Sequence, residues 1–183
     1  MNFAFEHRFA CELLDEFPAG LAPRYMFPSK GASGQDGLIV RMLPEDRRVW
    51  IGVFAFGRFG SQGLSNISST PDPYKVCVVA TGAGYIVNTR DPRDWEAVAS
   101  VPIIDVVSAQ TARLIIFADY TELVAYGEDG MKWRTKRLAL DGLRIIEVGE
   151  CTLVGEYEDL RSESVQRFEV DLLTGSSRGG IDG

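Results

Sequence analysis

Apolar and polar residues exchange places along this chain with two different periods. From Phe5 to Phe17 the apolar residues Phe5, Phe9, Leu13 and Phe17 recur every four positions, with Glu12, Asp15 and Glu16 off the stripe. That spacing predicts an amphipathic helix, stopped by Pro18 and Gly20. A second, short helix is expected from Pro92 to about Ser100. Asp91 can cap its free amides, proline at the first helical position gives up no bonded donor, and Asp94 suits the positive end of the dipole.

Elsewhere the pattern is that of strands. Val49 to Phe56 is apolar on both alternating faces and reads as a central strand covered on both sides. Tyr74 to Ala80 and Tyr85 to Asn88 flank Thr81-Gly82-Ala83-Gly84, a hairpin loop by its glycines. Leu114 to Phe117 and Leu123 to Tyr126 flank a tight turn over Asp119-Tyr120-Thr121-Glu122. Near the end, Phe168, Val170 and Leu172 alternate with Arg167, Glu169 and Asp171, so that strand has one wet face.

The pairs Asp36-Gly37, Asp129-Gly130 and Asp141-Gly142 each precede a strand-like run and supply the conformations that tight hairpins require. Strands punctuated this way indicate a meander or sandwich rather than alternating βαβ units. The fold expected is mostly β: an antiparallel β-sandwich or propeller-blade-like stacked sheets, with a short N-terminal helix and one short internal helix. One globular domain over residues 1–183 is expected, its N-terminal helix and connection in 1–30 and its β core in 38–180. The glycine-rich and polar segments Ser29 to Gly37 and Gly57 to Gly63, the second continuing into Ser65 to Pro71, read as flexible loops. Neither reproduces a phosphate-binding spacing, and Ser176 to Gly183 is expected to fray.

Composition narrows the partners. Twenty-six acidic residues against 19 basic ones give a formal net charge of −7. That sign disfavours nucleic acid and anionic membrane, because neutralising phosphate needs clustered Lys and Arg. No apolar run approaches the length of a spanning helix, and the charged N-terminus lacks a signal-like apolar core. Cys11, Cys77 and Cys151 are far apart and form no CxxC pair, and His7 is the one histidine. A metal site is therefore not expected, no cofactor is implied, and the compartment expected is the reducing cytoplasm.

Catalytic chemistry finds little purchase. On the expected N-terminal helix His7 and Cys11 stand four apart, close enough to meet, but nothing nearby orients the imidazole or supplies an oxyanion hole. Carboxylates such as Asp119, Glu122, Glu128 and Asp129 lie at turns, where they serve backbone geometry. The acidic series Glu150, Glu156, Glu158, Asp159, Glu163, Glu169 and Asp171 reads as a solvated sheet face that could take a basic partner.

Aromatic residues are the better guide to a surface. Trp50, Trp95 and Trp133 are expected in the core. If Trp133 is buried on a strand, Arg134 points outward. Tyr85, Phe59 and Tyr120 lie beside turns and could form an exposed aromatic patch. The candidate binding residues are Tyr85, Asp119, Tyr120 and Arg134; no catalytic residue is nominated.

A set of motifs then stands together: Ala118-Asp119, Ala125-Tyr126-Gly127, Asp129-Gly130, Trp133-Arg134-Thr135, Asp141-Gly142-Leu143, Phe168 to Gly175 and Gly179-Gly180. The segment from Leu114 to Gly180 resembles the C-terminal part of a widespread group of uncharacterised bacterial proteins that share this pattern. Parts also resemble single blades of propeller repeats. The resemblance implies a β scaffold and brings no activity with it. Together these readings favour a non-catalytic protein-interaction module, immunity-like or regulatory, whose partner is another protein. A small hydrolase using acidic residues at β-turns and a structural subunit of an assembly are the alternatives.

Overall fold

A computed structural model of the chain describes residues 1–20, 22–29, 36–58, 63–159 and 162–181. Among them are sixteen strands and no helix, arranged as four sheets of four strands each. The chain divides into two compact units, Met1–Val101 and Pro102–Gly183.

In the first unit, β1 (Phe9–Leu14), β2 (Arg24–Phe27), β3 (Gly37–Pro44) and β4 (Trp50–Ala55) form a sheet of order β1-β3-β4-β2. Its pairs are antiparallel except β2 with β4, which run parallel. Every residue of β4 is buried, as expected of its unbroken apolar run. The second sheet is an antiparallel meander of β5 (Asn66–Ser69), β6 (Lys75–Ala80), β7 (Ala83–Asn88) and β8 (Trp95–Ala97). The two sheets share a core in which Phe27, Met42, Trp50 and Phe54 meet Ile67, Val76, Val78, Tyr85 and Val87. The β6–β7 hairpin closes through Thr81 (φ 48°) and Gly82 (φ 80°), two successive left-handed residues that match the twist of the strands.

The second unit is two successive antiparallel meanders. The first is β9 (Asp105–Ala109), β10 (Leu114–Ala118), β11 (Leu123–Gly127) and β12 (Gly130–Arg134). The second is β13 (Arg144–Val148), β14 (Thr152–Asp159), β15 (Ser164–Asp171) and β16 (Ser177–Gly179). Leu114, Ile116, Leu123 and Trp133 of one sheet pack with Leu153, Tyr157, Phe168 and Val170 of the other. Phe168 and Val170 are buried while Arg167 and Glu169 are exposed, so the alternation of β15 has the orientation that the sequence predicts.

Neither expected helix forms. The segment around Phe9 is β1, paired with β3 from Phe9↔Pro44 to Leu14↔Ile39. Four is a multiple of two, so an apolar repeat of four fits one face of a strand as well as one face of a helix. The repeat then runs out: Phe5 and Phe9 are buried, whereas Leu13 and Phe17 are exposed. In the second segment Asp91 caps one turn, accepting from the Arg93 amide at 3.2 Å. The open edge of β7 then takes Trp95, Glu96 and Ala97 as a strand. A single turn without further packing does not repay helix nucleation.

Of the three Asp-Gly pairs only Asp129-Gly130 closes a hairpin, with Gly127 opposite Gly130. Gly37 starts β3, and Gly142 (φ 74°) leads into β13. The tail expected to fray instead forms β16 on β15, from Phe168↔Gly179 to Val170↔Ser177. Much of the two glycine-rich loops, Lys30 to Gln35 and Phe59 to Gln62, lies outside the described residues. The continuation expected as loop instead contains β5, because pairing with β6 buries Ile67 in the core.

Candidate functional site

The turn between β10 and β11 gathers three of the four sequence-nominated residues. Asp119 ends β10 nearly buried, and its Oδ1 accepts from the Thr121 amide at 2.7 Å, the Thr121 hydroxyl at 3.0 Å and the Glu122 amide at 2.9 Å. One carboxylate oxygen thus satisfies the donors of a four-residue turn. The Thr121 carbonyl in turn accepts from the amides of Leu138 (2.8 Å) and Ala139 (3.2 Å), fixing the turn against the chain that leads to β13. Asp119 therefore acts on the backbone, and its consequence is the placement of Tyr120, which stays 45% exposed at the tip. Arg134, opposite Val124 on β12, faces outward as the burial of Trp133 requires and pairs with Glu122 at 3.2 Å.

Tyr120 forms one side of a cleft of about 400 Å³ within this unit. Ile104 and Asp105 at the start of β9, Leu143 and Arg144 at the start of β13, Glu156 and Glu158 of β14, and Val165 of β15 complete it. The sides are set by register: Arg144 lies opposite Glu156 across the β13–β14 ladder, and their side chains form an ion pair. Asp105 turns one carboxylate oxygen to the Val106 amide at 2.7 Å. The lining thus carries three carboxylates against one guanidinium, beside an exposed tyrosine and an exposed valine. Such a surface can take a cation that brings apolar area with it, in the manner of an arginine or lysine side chain.

Tyr85 does not belong to this site. It is buried in the core of the first unit, among Phe27, Phe54 and Trp95, and its hydroxyl donates to the Ala55 carbonyl at 2.9 Å. Burial pushes its phenol up from the ordinary value. The exposed aromatic patch expected from the sequence therefore lacks Tyr85; Phe59 lies outside the described residues. The helix expected to bring His7 and Cys11 together does not form: His7 precedes β1 and Cys11 lies within it. The His7 ring stacks on Phe3 at 4.8 Å and its Nδ1 lies 3.1 Å from the Phe5 carbonyl oxygen. Among the described residues no group of three or more His, Cys, Asp or Glu side chains is arranged to hold a metal ion. None has a helix long and apolar enough to cross a membrane.

Tyr120, Glu156 and Glu158 are legible in the sequence, whereas Asp105, Arg144 and Val165 are not. The readable signal was the spacing Glu156-x-Glu158, which puts both carboxylates on one face of β14 while Tyr157 faces the core. Asp105 and Arg144 carry no such signal, because 38 intervening residues separate them and only the meeting of β9 with β13 makes them neighbours. No protein-family model matches the chain, and no curated protein matches it.

Proposed function

We propose that the protein is a non-catalytic protein-interaction module, immunity-like or regulatory, that receives a basic segment of a partner protein in the cleft beside Tyr120. The observation that carries this reading is the combination of Asp105, Glu156 and Glu158 with an exposed Tyr120 and Val165 in one concave surface. Carboxylates flanked by an aromatic ring suit an arginine, which stacks its planar head and lays its methylenes on apolar area. The turn carboxylate Asp119 is engaged by three backbone and hydroxyl donors, which weighs against the hydrolase alternative that would use it in chemistry. We infer also that the two meanders of the second unit stack as propeller blades do, on a scaffold shared with the bacterial group that the Leu114 to Gly180 motifs resemble. The reducing cytoplasm remains the proposed compartment, in keeping with three free thiols.

The test is capture of partners from the native host with the wild-type protein and with Tyr120→Ala/Glu158→Lys. A protein retained stoichiometrically by the wild type and released by the folded double variant supports the reading. Equal retention by both removes the cleft from it, and no retention by the wild type removes the interaction function.

A further inference from the structure

We propose a second binding site, in the first unit, for a small planar anion: an aromatic ring carrying a carboxylate or a phosphate. The site is a cleft of about 310 Å³ between the edge strands β2 and β8, walled by Tyr25, Phe27 and Trp95 and flanked by Arg24 and Arg93. Its volume falls at the small end of ligand pockets, enough for one ring and its substituents.

Charge is the first argument. The chain carries a net charge of −7, and in this unit Arg8, Arg41 and Arg90 each hold a carboxylate. Among the described residues, Arg24 and Arg93 form no ion pair with any carboxylate, and both line the same cleft. Both arginines are exposed at the rim of the cleft, where an anion could accept paired hydrogen bonds from them. Arg24 is also held in place, its guanidinium 4.5 Å from the centre of the Phe17 ring.

The walls supply the second argument. Trp95 is half-buried, its ring edge-on to Phe27 at 5.6 Å, while Tyr25 stands edge-on to Trp50 at the same distance. Phe27 is buried at the base of the cleft, and Trp95 and Tyr25 are partly open to a ligand. Aromatic faces favour offset or edge contact with another ring. An anion alone would leave that apolar area wet, and a neutral ring would leave both arginines without a counterion.

Trp95 also gives the readout, since Trp50 and Trp133 are buried with their indole N–H groups bonded to backbone carbonyls. Quenching of tryptophan fluorescence and calorimetry would be followed with 4-hydroxybenzoate and with phenyl phosphate, then with inorganic phosphate and 4-hydroxybenzamide as the anion and the ring alone. Saturable binding of either ring-bearing anion with Kd below about 1 mM is expected. It should weaken by about tenfold or more in Arg24→Gln/Arg93→Gln, and severalfold between low and high salt in the wild type. Trp95→Phe should abolish the quench while calorimetric heat persists. Which ring-bearing anion saturates tells carboxylate from phosphate. No saturation by either up to about 5 mM, equal affinity for phosphate or for the neutral amide alone, or no dependence on salt would overturn the proposal.

Discussion

The indole of Trp133 donates its Nε1–H to the backbone carbonyl of Leu172 at 2.8 Å, and the same ring lies against Gly175. The bond ties the last strand of one sheet of the second unit to the turn that follows the third strand of the next. The first unit repeats the device: Trp50 donates to the carbonyl of Thr89, just past β7, at 2.8 Å. In each unit the bonded residues stand 39 positions apart. An aromatic body thus fills the space between two sheets while its polar edge satisfies a buried carbonyl.

Trp133→Phe keeps most of the apolar volume and leaves the Leu172 carbonyl without its donor. Urea denaturation should show a loss of about 1–2 kcal/mol, with a similar loss for Trp50→Phe. A loss within error for both variants would mean that water replaces the indole at no cost.

Gly175 and Gly142 separate backbone strain from packing. Both have positive φ, 71° and 74°, but a Cβ on Gly175 would lie 2.8 Å from the Trp133 ring, whereas Gly142 has open space around it. Gly142→Ala should cost about 1 kcal/mol, the price of left-handed backbone alone, and Gly175→Ala clearly more. Denaturation midpoints of the two variants provide the comparison, and equal losses would contradict close packing at Trp133.

Asp119→Ala removes the acceptor of three hydrogen bonds in a nearly buried turn and should destabilise the protein by about 2 kcal/mol. Asp119→Asn keeps a side-chain oxygen and should cost less. Thermal unfolding of both reads the difference, and wild-type stability in the alanine variant would free Asp119 for another role.

Asp171 repeats that turn chemistry in the open. The Thr174 hydroxyl first, then the amides of Thr174 and Leu173, hold its carboxyl below the usual carboxylate range. A carboxyl depressed in the folded state adds stability above its unfolded value, near pH 4, and that stability is lost as pH falls through the folded value. Asp171→Asn should be the less stable protein at neutral pH, and the gap in unfolding midpoint should close on acidification below about pH 4. A gap constant with pH would exclude ionisation as its source.

The three thiols should separate by access. Cys151 is exposed, Cys11 half-buried and Cys77 buried at 1%, and burial pushes the Cys77 thiol far up from its ordinary value. Only the thiolate attacks a disulfide reagent, so Ellman's reagent should modify Cys151 first, Cys11 more slowly, and Cys77 only once urea unfolds the chain. Early reaction at Cys77 would show that its strand opens in the native state.

Local chemistry wrote much of this fold directly into the chain. The unbroken apolar run of β4 and the alternation of Phe168 and Val170 with Arg167 and Glu169 each follow from residues within a few positions of one another. The glycines after Ala80 mark the β6–β7 hairpin, but its loop is Thr81 and Gly82 rather than the four residues expected, because Ala83 and Gly84 pair with β6. The N-terminal stripe could not be decided locally, since a period of four serves either element. Pairing of Cys11 with Met42 and Leu13 with Val40 across β1 and β3 settled it. The candidate site divides the same way. Tyr120 was legible from its turn and Glu156 with Glu158 from their spacing, whereas Asp105 and Arg144 join them only through the meeting of two sheets.

By itself, then, the sequence determined the β class, the main strands of the core, the turn roles of Asp119 and Asp129 and the burial of Trp133 with Arg134 turned outward. Tertiary structure decided that Phe9 lies in a strand, that Tyr85 is a core residue, and that Asp105, Arg144 and Tyr120 share a cleft. The reason is range. Hydrogen bonding and φ preferences act over two or three residues, while a strand's partner and a cleft's far wall come from segments tens of residues away, chosen by the burial they complete together.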